Sequence, residues 1–333
     1  MIKKIAVAFI AVASVAIADV HTDVVSFEKG LNLLSRAELT PSGYMVGYSF
    51  NFVPRPDGAI KKRPGFVTNT AINSLTPHEG GPAIFDGDKL FVISNGQAQL
   101  VNQVLGTAIS DSAVDANYMA SATAIMFEDA VYFAVPKNTT ASVAGYPANV
   151  WRYDMTIGAW SRWIGGVTSE TDSMKIKFWG KYKNSTTRRD YLYFGGYIAT
   201  QGVRMFDPDS TVDYYGSTPS RHGFIAQAIT PAFGLGTWNK YMRFEMPIEN
   251  SDSIRVLLTY TTKLATNKPR TSTELVAAFG PGTGDTTSVG QVHVKSIDLK
   301  QREGYTAQIT IWASGTGRCI IHPCRLIYER NPL

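Results

Sequence analysis

The stretch "NFVPRPDGAIKKRPGFV", residues 51–67, holds three prolines, two glycines and four cationic side chains before it runs into an apolar strand. It follows directly on "LTPSGYMVGYSF", residues 39–50. Pro56-Asp57-Gly58 is a turn signal, because proline presets φ at the second turn position and glycine takes a backbone conformation that other residues resist. Pro41-Ser42-Gly43 is another, and "YMVGYSFNF" between them alternates well enough to be one strand. The segment therefore reads as strands joined by tight turns, with a rigid cationic corner at Arg63-Pro64-Gly65. An Arg-Pro-Gly corner holds a guanidinium at a fixed place, suited to a two-pronged contact with a carboxylate or phosphate. Two readings follow for Arg55, Lys62, Arg63, Pro64 and Gly65: contact with a neighbouring subunit, or a structural corner in which Arg63 pairs within its own domain and Pro64-Gly65 turns the chain.

The same texture extends outward. Among 333 residues, 44% are apolar and 18% charged, enough for a sizeable core and too few charges for global disorder. The 16 Tyr, 16 Phe, 29 Gly and 16 Pro are spread along the chain, as many short strands with tight turns require. "DKLFVISNGQAQLVN" (88–102) is strand, Asn95-Gly96 turn and returning strand, a strong short-range hairpin signal. "DAVYFAVPKN" with "NVWRYDMTIGAWSRW" (129–138, 149–163) and "DYLYFGGYIATQ" with "GVRMFDPDSTVDYY" (190–215) share one plan. Val150, Tyr153 and Asp154 line up with Val203, Phe206 and Asp207 at an offset of 53 residues, near the length of a four-stranded propeller blade. In each copy the strand ends at an Asp that caps the following turn. From Trp238 onward the strands alternate more regularly, interrupted by the Gly/Thr-rich "FGPGTGDTTSVG" (279–290). No stretch beyond the N-terminal run has a helical period. The expected fold is all-β: a β-propeller-like domain over 23–235, C-terminal strands over 236–333 that close it, and an apolar segment over 1–22.

That segment, "MIKK" then "IAVAFIAVASVAIA" before Asp19, has the charged start, apolar run and A-x-A end of a secretory leader and is short for a membrane span. Cleavage and retention as a buried or interfacial element both stay open, retention being the preferred reading. Cys319 and Cys324 in "RCIIHPC" allow a short-loop disulfide, but read more simply as two buried thiols in neighbouring strand positions. A metal there would need more ligands than His322 supplies.

At this point the opening segment becomes recognisable. "FEKGLNLLSRAELTPSGYMVGYSFNFVPRPDGAIKKRPGF" resembles the N-terminal signature of podophage tail-tube proteins of the nozzle type, also called tubular protein B or head-to-tail stabilising proteins. The resemblance is carried by Gly30, Leu31, Asn32, Asn51, Phe52, Gly58, Lys62, Arg63, Pro64 and Gly65. "RCIIHPCRLIYER", after "GYTAQITIWASG", looks like the closing strands of the same family. The resemblance implies a propeller-based structural virion protein, one subunit of a homohexameric tail ring around a channel for double-stranded DNA. It implies portal or adaptor and other tail proteins as neighbours, and assembly in the host cytoplasm. A neighbouring ring component on the same plan fits the same signature.

Catalytic patterns are missing from the sequence. Of five histidines (21, 78, 222, 293, 322), none forms an H-x-x-x-H pair. No G-x-S-x-G or phosphate loop occurs, and "GPGTG" (280–284) lacks a lysine. In "DMTIGAW" (154–160) glycine falls four residues after the aspartate, unlike a sialidase Asp-box. Glu128-Asp129 and Asp207/Asp209 read as turn-capping carboxylates before a glycosidase pair. The expectation is no enzyme, no cofactor, no metal and no small-molecule substrate. "KIKFWGKYKNSTTRRD" (175–190) stands apart, with Lys175, Lys177, Lys181, Lys183, Arg188 and Arg189 interleaved with Phe178, Trp179 and Tyr182. This suits contact with DNA or an acidic partner, while the simpler reading is an exposed edge strand whose lysines deter unwanted pairing. The net charge of +5 permits an acidic partner without demanding one. A competing function is a secreted or periplasmic β-propeller that binds or hydrolyses carbohydrate, supported by the leader-like N-terminus.

Overall fold

A computed structural model describes residues 19–33, 36–47, 49–68, 83–86, 89–94, 97–105, 122–136, 147–164, 174, 176–183, 188–196, 203–207, 210, 213–215, 220–235, 237–250, 252–263, 269–280 and 291–331. The apolar run over 1–18, the Asn95-Gly96 turn, most of the Gly/Thr-rich loop, Lys175, His78 and Asp209 lie outside the described residues. The protein is all-β, and among the described residues there is no α-helix, only short 3-10 turns such as Ala37–Leu39.

Two antiparallel sheets form a sandwich. One has the order Asp19–Val25, Cys324–Asn331, Trp238–Asn250, Cys319–Ile321, Ile60–Lys62, Phe52–Pro54, with His293–Gly304 on the far side of Trp238–Asn250. The other runs Phe224–Ile229, Thr306–Gly315, Ser253–Lys263, Pro269–Phe279. Strand side chains alternate between faces, so every second residue is buried. Phe244, Met246 and Ile248 from the first sheet and Ile309, Ile311 and Ala313 from the second enter one core. Cys319 and Cys324 lie in that core as free, buried thiols. The sheets do not follow a division at 235/236, because Asp19–Val25, Phe52–Pro54 and Ile60–Lys62 pair into the same sheet as the C-terminal strands.

Three further sheets are antiparallel meanders from the middle of the chain. Ala83–Asp86, Lys89–Ser94 and Gln97–Leu100 make the first. Thr123–Phe127, Ala130–Pro136, Pro147–Asp154 and Ala159–Ile164 make the second, extended in parallel by Gly30–Leu31 and Tyr44–Met45. Ile176–Lys183, Asp190–Gly196 and Val203–Asp207 make the third, whose fourth strand is Gly65–Thr68 from far upstream. The second meander is apolar on both faces. Val131, Phe133 and Val135 join the core that holds Leu90 and Val92, while Ala130, Tyr132 and Ala134 join a second core with Trp179, Leu192 and Phe206. Tyr132 and Phe206 both stand edge-on to Trp163, at centroid distances of 5.4 and 5.3 Å, so an aromatic layer fills the second core.

The repeated residues occupy equivalent places. Val150 to Asp154 and Val203 to Asp207 each end the third strand of a four-stranded meander. Asp154 caps its turn by accepting the amides of Thr156 and Ile157 at 3.1 and 3.4 Å. No sheet of the described residues closes into a barrel.

Candidate functional site

The turn at residues 55–59 forms as its residue types dictate. The Gly58 amide donates to the Arg55 carbonyl, the Arg55 amide donates to the Ala59 carbonyl, and Gly58 has φ +80°. Arg55 stays at the surface in an ion pair with Asp57 at 3.0 Å. The chain then returns through Ile60–Lys62 in the sandwich sheet, bends at Pro64, and enters the third meander at Gly65–Thr68. The corner thus carries the polypeptide from one part of the fold to the other.

Arg63 marks the crossing. Its Nη1 and Nη2 donate to the two carboxylate oxygens of Asp213 at 2.9 and 2.5 Å, Nη2 also to the Ile164 carbonyl, and Nε to Asn51 Oδ1 at 3.0 Å. Both partners of the pair are fully buried. The guanidinium carbon lies 3.9 Å from the Phe224 ring centre, so a cation–π contact supplements the two-pronged pair. Lys62 is buried too: Nζ donates to Asp252 Oδ2 at 2.5 Å and to the Gly315 carbonyl at 2.9 Å, and lies 4.5 Å from the same ring centre. Burial is the chief influence on Asp252 and pushes its carboxyl up from the usual aspartate value, with Lys62 and the Gly317 amide opposing it.

Asn51 completes the joint. It sits in the left-handed region at φ 60°, a conformation asparagine tolerates better than most residues. Its Oδ1 accepts the Ile164 amide as well as Arg63, and its Nδ2 donates to the Ile225 carbonyl at 2.7 Å. One side chain therefore ties the second meander, the corner and the sandwich together.

Of the two readings offered for Lys62 and Arg63, this geometry fits the structural corner paired within its own chain. Both side chains are interior and held by internal carboxylates, because two cations in so low a dielectric require paired anions. Sequence reasoning missed those anions. Asp213 and Asp252 lie 150 and 190 residues away from their cations, and neither stands in a motif.

The basic stretch lies on the surface. Ile176–Lys183 is the edge strand of the third meander and pairs with Asp190–Gly196, Lys183 opposite Asp190 and Tyr182 opposite Tyr191. Lys177, Lys181, Lys183, Arg188 and Arg189 are exposed, while Ile176 and Trp179 are buried. Tyr182 is 42% exposed, and Arg189 lies over the Tyr191 ring at 6.0 Å. This is an edge strand with solvated lysines and adjacent aromatic rings, compatible with phosphate contact.

Other candidates are accounted for locally. His322 faces Glu249 at 3.2 Å, and His21 faces Asp19 at 2.9 Å while stacking on Tyr328. Burial pushes both thiols, Cys319 and Cys324, far above the ordinary cysteine value, which makes them poor nucleophiles. Glu128 and Asp129 form a strand-connecting turn whose Asp129 carbonyl accepts the Met155 amide. Among the described residues no group of three or more His, Cys, Asp or Glu side chains could hold a metal, and no helix is long and apolar enough to cross a membrane.

Comparison with known proteins adds little. No family model and no curated protein matches the chain. Among solved structures it has a likeness to TmCBM61 in complex with β-1,4-galactotriose, at 10% identity and TM-score 0.21, over 45% of this chain and 81% of that one. The structure of the infectious bursal disease virus Gx strain gives 9% identity and TM-score 0.16, over 91% and 82%. An exo-β-1,3-galactanase from Phanerochaete chrysosporium gives 10% and TM-score 0.11, over 79% and 56%. At these scores none of the three bears on what the chain does.

Proposed function

We propose that the chain is a structural virion protein, a non-enzymatic subunit of a phage tail tube or nozzle ring that forms a conduit for double-stranded DNA. The observation that carries this reading is the joint at Lys62-Arg63-Pro64-Gly65. Residues on which the family resemblance rests hold this joint. Lys62–Asp252 ties the two sandwich sheets, Arg63–Asp213 ties the corner to the two-stranded sheet of Asp213–Tyr215 and Ser220–His222, and Arg63 and Asn51 both reach Ile164 of the second meander. A conduit wall needs that stiffness, and a buried bidentate arginine supplies a fixed angle where a turn alone would flex. The meanders are proposed to act as propeller blades, and copies of the chain to close as a homohexamer assembled in the host cytoplasm beside portal or adaptor and tail proteins. The basic edge hairpin then faces the DNA phosphates. Native mass measurement on virion-derived and recombinant protein, the latter with a ring neighbour, tests the ring; a stable lone monomer in both defeats it.

A second reading, carbohydrate binding, has one observation in its favour. Gln227, Trp312 and Arg255 stand side by side across the outward face of the four-stranded sheet. Titration with galacto- and gluco-oligosaccharides tests it, and binding that survives Trp312→Ala would remove that face from consideration.

A further inference from the structure

Lys62 and Asp252 are arranged as reactants as well as an ion pair. Nζ lies 2.5 Å from Oδ2, with side-chain exposures of 3% and 0%. The Gly315 carbonyl holds the amine from a second direction at 2.9 Å. The Gly317 amide donates to the other carboxyl oxygen, Oδ1, at 2.5 Å. The Phe224 ring lies against the nitrogen. An amine, a carboxyl carbon and an N–H donor on the carbonyl oxygen are thus held together in a dry β-sandwich.

We propose that Lys62 and Asp252 condense within the folded chain to an isopeptide bond between Nζ and Cγ. The step begins with transfer of one proton from the Nζ ammonium to Oδ2, giving a neutral amine and carboxylic acid, a form that burial away from water favours over separated charges. The Nζ lone pair adds to Cγ, and the carbonyl electron pair moves onto Oδ1. There the Gly317 N–H meets the developing negative charge, as a single oxyanion-hole donor does. A second Nζ proton passes to Oδ2, the Cγ–Oδ2 bond breaks, that oxygen leaves as water, and the Oδ1 carbonyl reforms. An ammonium and a carboxylate become an amide and one water, with no oxidant, reductant or added reagent. Fixed proximity supplies the advantage that the same groups lack in solution, and exclusion of water deprives the reverse hydrolysis of its nucleophile.

The raised Asp252 carboxyl accords with this chemistry, because the acid form is the one with a departing hydroxyl. The bond joins positions 190 residues apart and encloses the meanders in a covalent loop. The inference rests on the pair's geometry and not on the virion reading, so either stands if the other fails.

Peptide mapping of the full chain decides the matter. The purified protein is denatured, digested with trypsin and analysed by mass spectrometry. The expected product is a branched peptide in which the Lys62 and Asp252 peptides are joined with loss of one water, and in which trypsin no longer cuts after Lys62. Lys62→Met is expected to yield only linear peptides at full mass. The proposal is overturned if the unmodified chain gives linear peptides with free Lys62 and intact Asp252, or if a lost water maps to other residues. The reading on the unmodified chain suffices even where the variant does not fold.

Discussion

Arg63 shows what one residue contributes when its charge is taken out of water. Leaving its guanidinium without Asp213 costs far more than the pair contributes in net, because a buried charge then has no counter-ion. Asp213→Ala is expected to lower unfolding free energy by about 3–5 kcal/mol in denaturant titrations. The double replacement Arg63→Met with Asp213→Leu is expected to recover most of that loss, since it removes both charges together. A loss in the double variant equal to that of Asp213→Ala would show that the pair is not the source. The cation, and a corner in which it pairs internally, were apparent in the sequence; the identity of its partner was not. Four cations in 17 residues resemble a solvated patch, the usual setting of Lys and Arg, and nothing local reveals carboxylates so far along the chain.

At the scale of elements, many turns and strands were legible because their causes are local. The stretch from Tyr44 to Phe52 alternates like one strand but is broken into Tyr44–Met45 and a strand starting at Phe52, with Gly47 and Asn51 at positive φ between them. Pro56-Asp57-Gly58 makes its turn, the strands at Lys89–Ser94 and Gln97–Leu100 pair, and the Val-x-x-aromatic-Asp copies fall at matching strand ends. Pairing between distant strands left no such mark. Gly65–Thr68 completing the third meander and Gly30–Leu31 joining the second in parallel are choices made by tertiary packing. Gly30 shows how tight that packing is. It has φ +72°, and a Cβ there would stand 2.6 Å from the Trp160 carbonyl oxygen and 2.7 Å from its nitrogen. Gly30→Ala is expected to cost about 1–3 kcal/mol through overpacking, read as a fall in the thermal midpoint. The open edge of the sandwich is closed differently. Glu274 on Pro269–Phe279 accepts from Tyr260 and, at 3.0 and 2.7 Å, from Arg302 on His293–Gly304. The Tyr260 hydroxyl first, then Arg302, holds the Glu274 carboxyl below the ordinary glutamate value of 4.5. A carboxyl depressed in the folded state contributes stability that is present above its unfolded value and lost as pH falls through the folded one. Stability of the unmodified chain relative to Glu274→Gln should therefore shrink as pH drops below 4.5, measured by paired denaturant curves. A difference that stays constant across that window would contradict the clasp.

For the whole molecule, the basic hairpin and the ring are the testable features. Lys181→Glu, Lys183→Glu and Arg188→Glu together change exposed positions and should leave the unfolding midpoint nearly unchanged. On the conduit reading they should weaken duplex DNA binding and lower the log–log salt slope by about one unit for each phosphate contact removed. An unaltered slope would return the hairpin to the role of an edge guard.

The pairing of Asp19–Val25 with Cys324–Asn331 sets a timetable for the nascent chain. The earliest of these strands emerges from the ribosome long before its partner exists, whereas each meander can form as soon as its own residues are out. The first sandwich sheet must wait until residues 319–331 have been made, with its early strands held open meanwhile and prone to capture by chaperones or by one another. Loss of residues 324–331 should leave Asp19–Val25 unmatched, so a lesion about three hundred positions downstream would be felt at that strand.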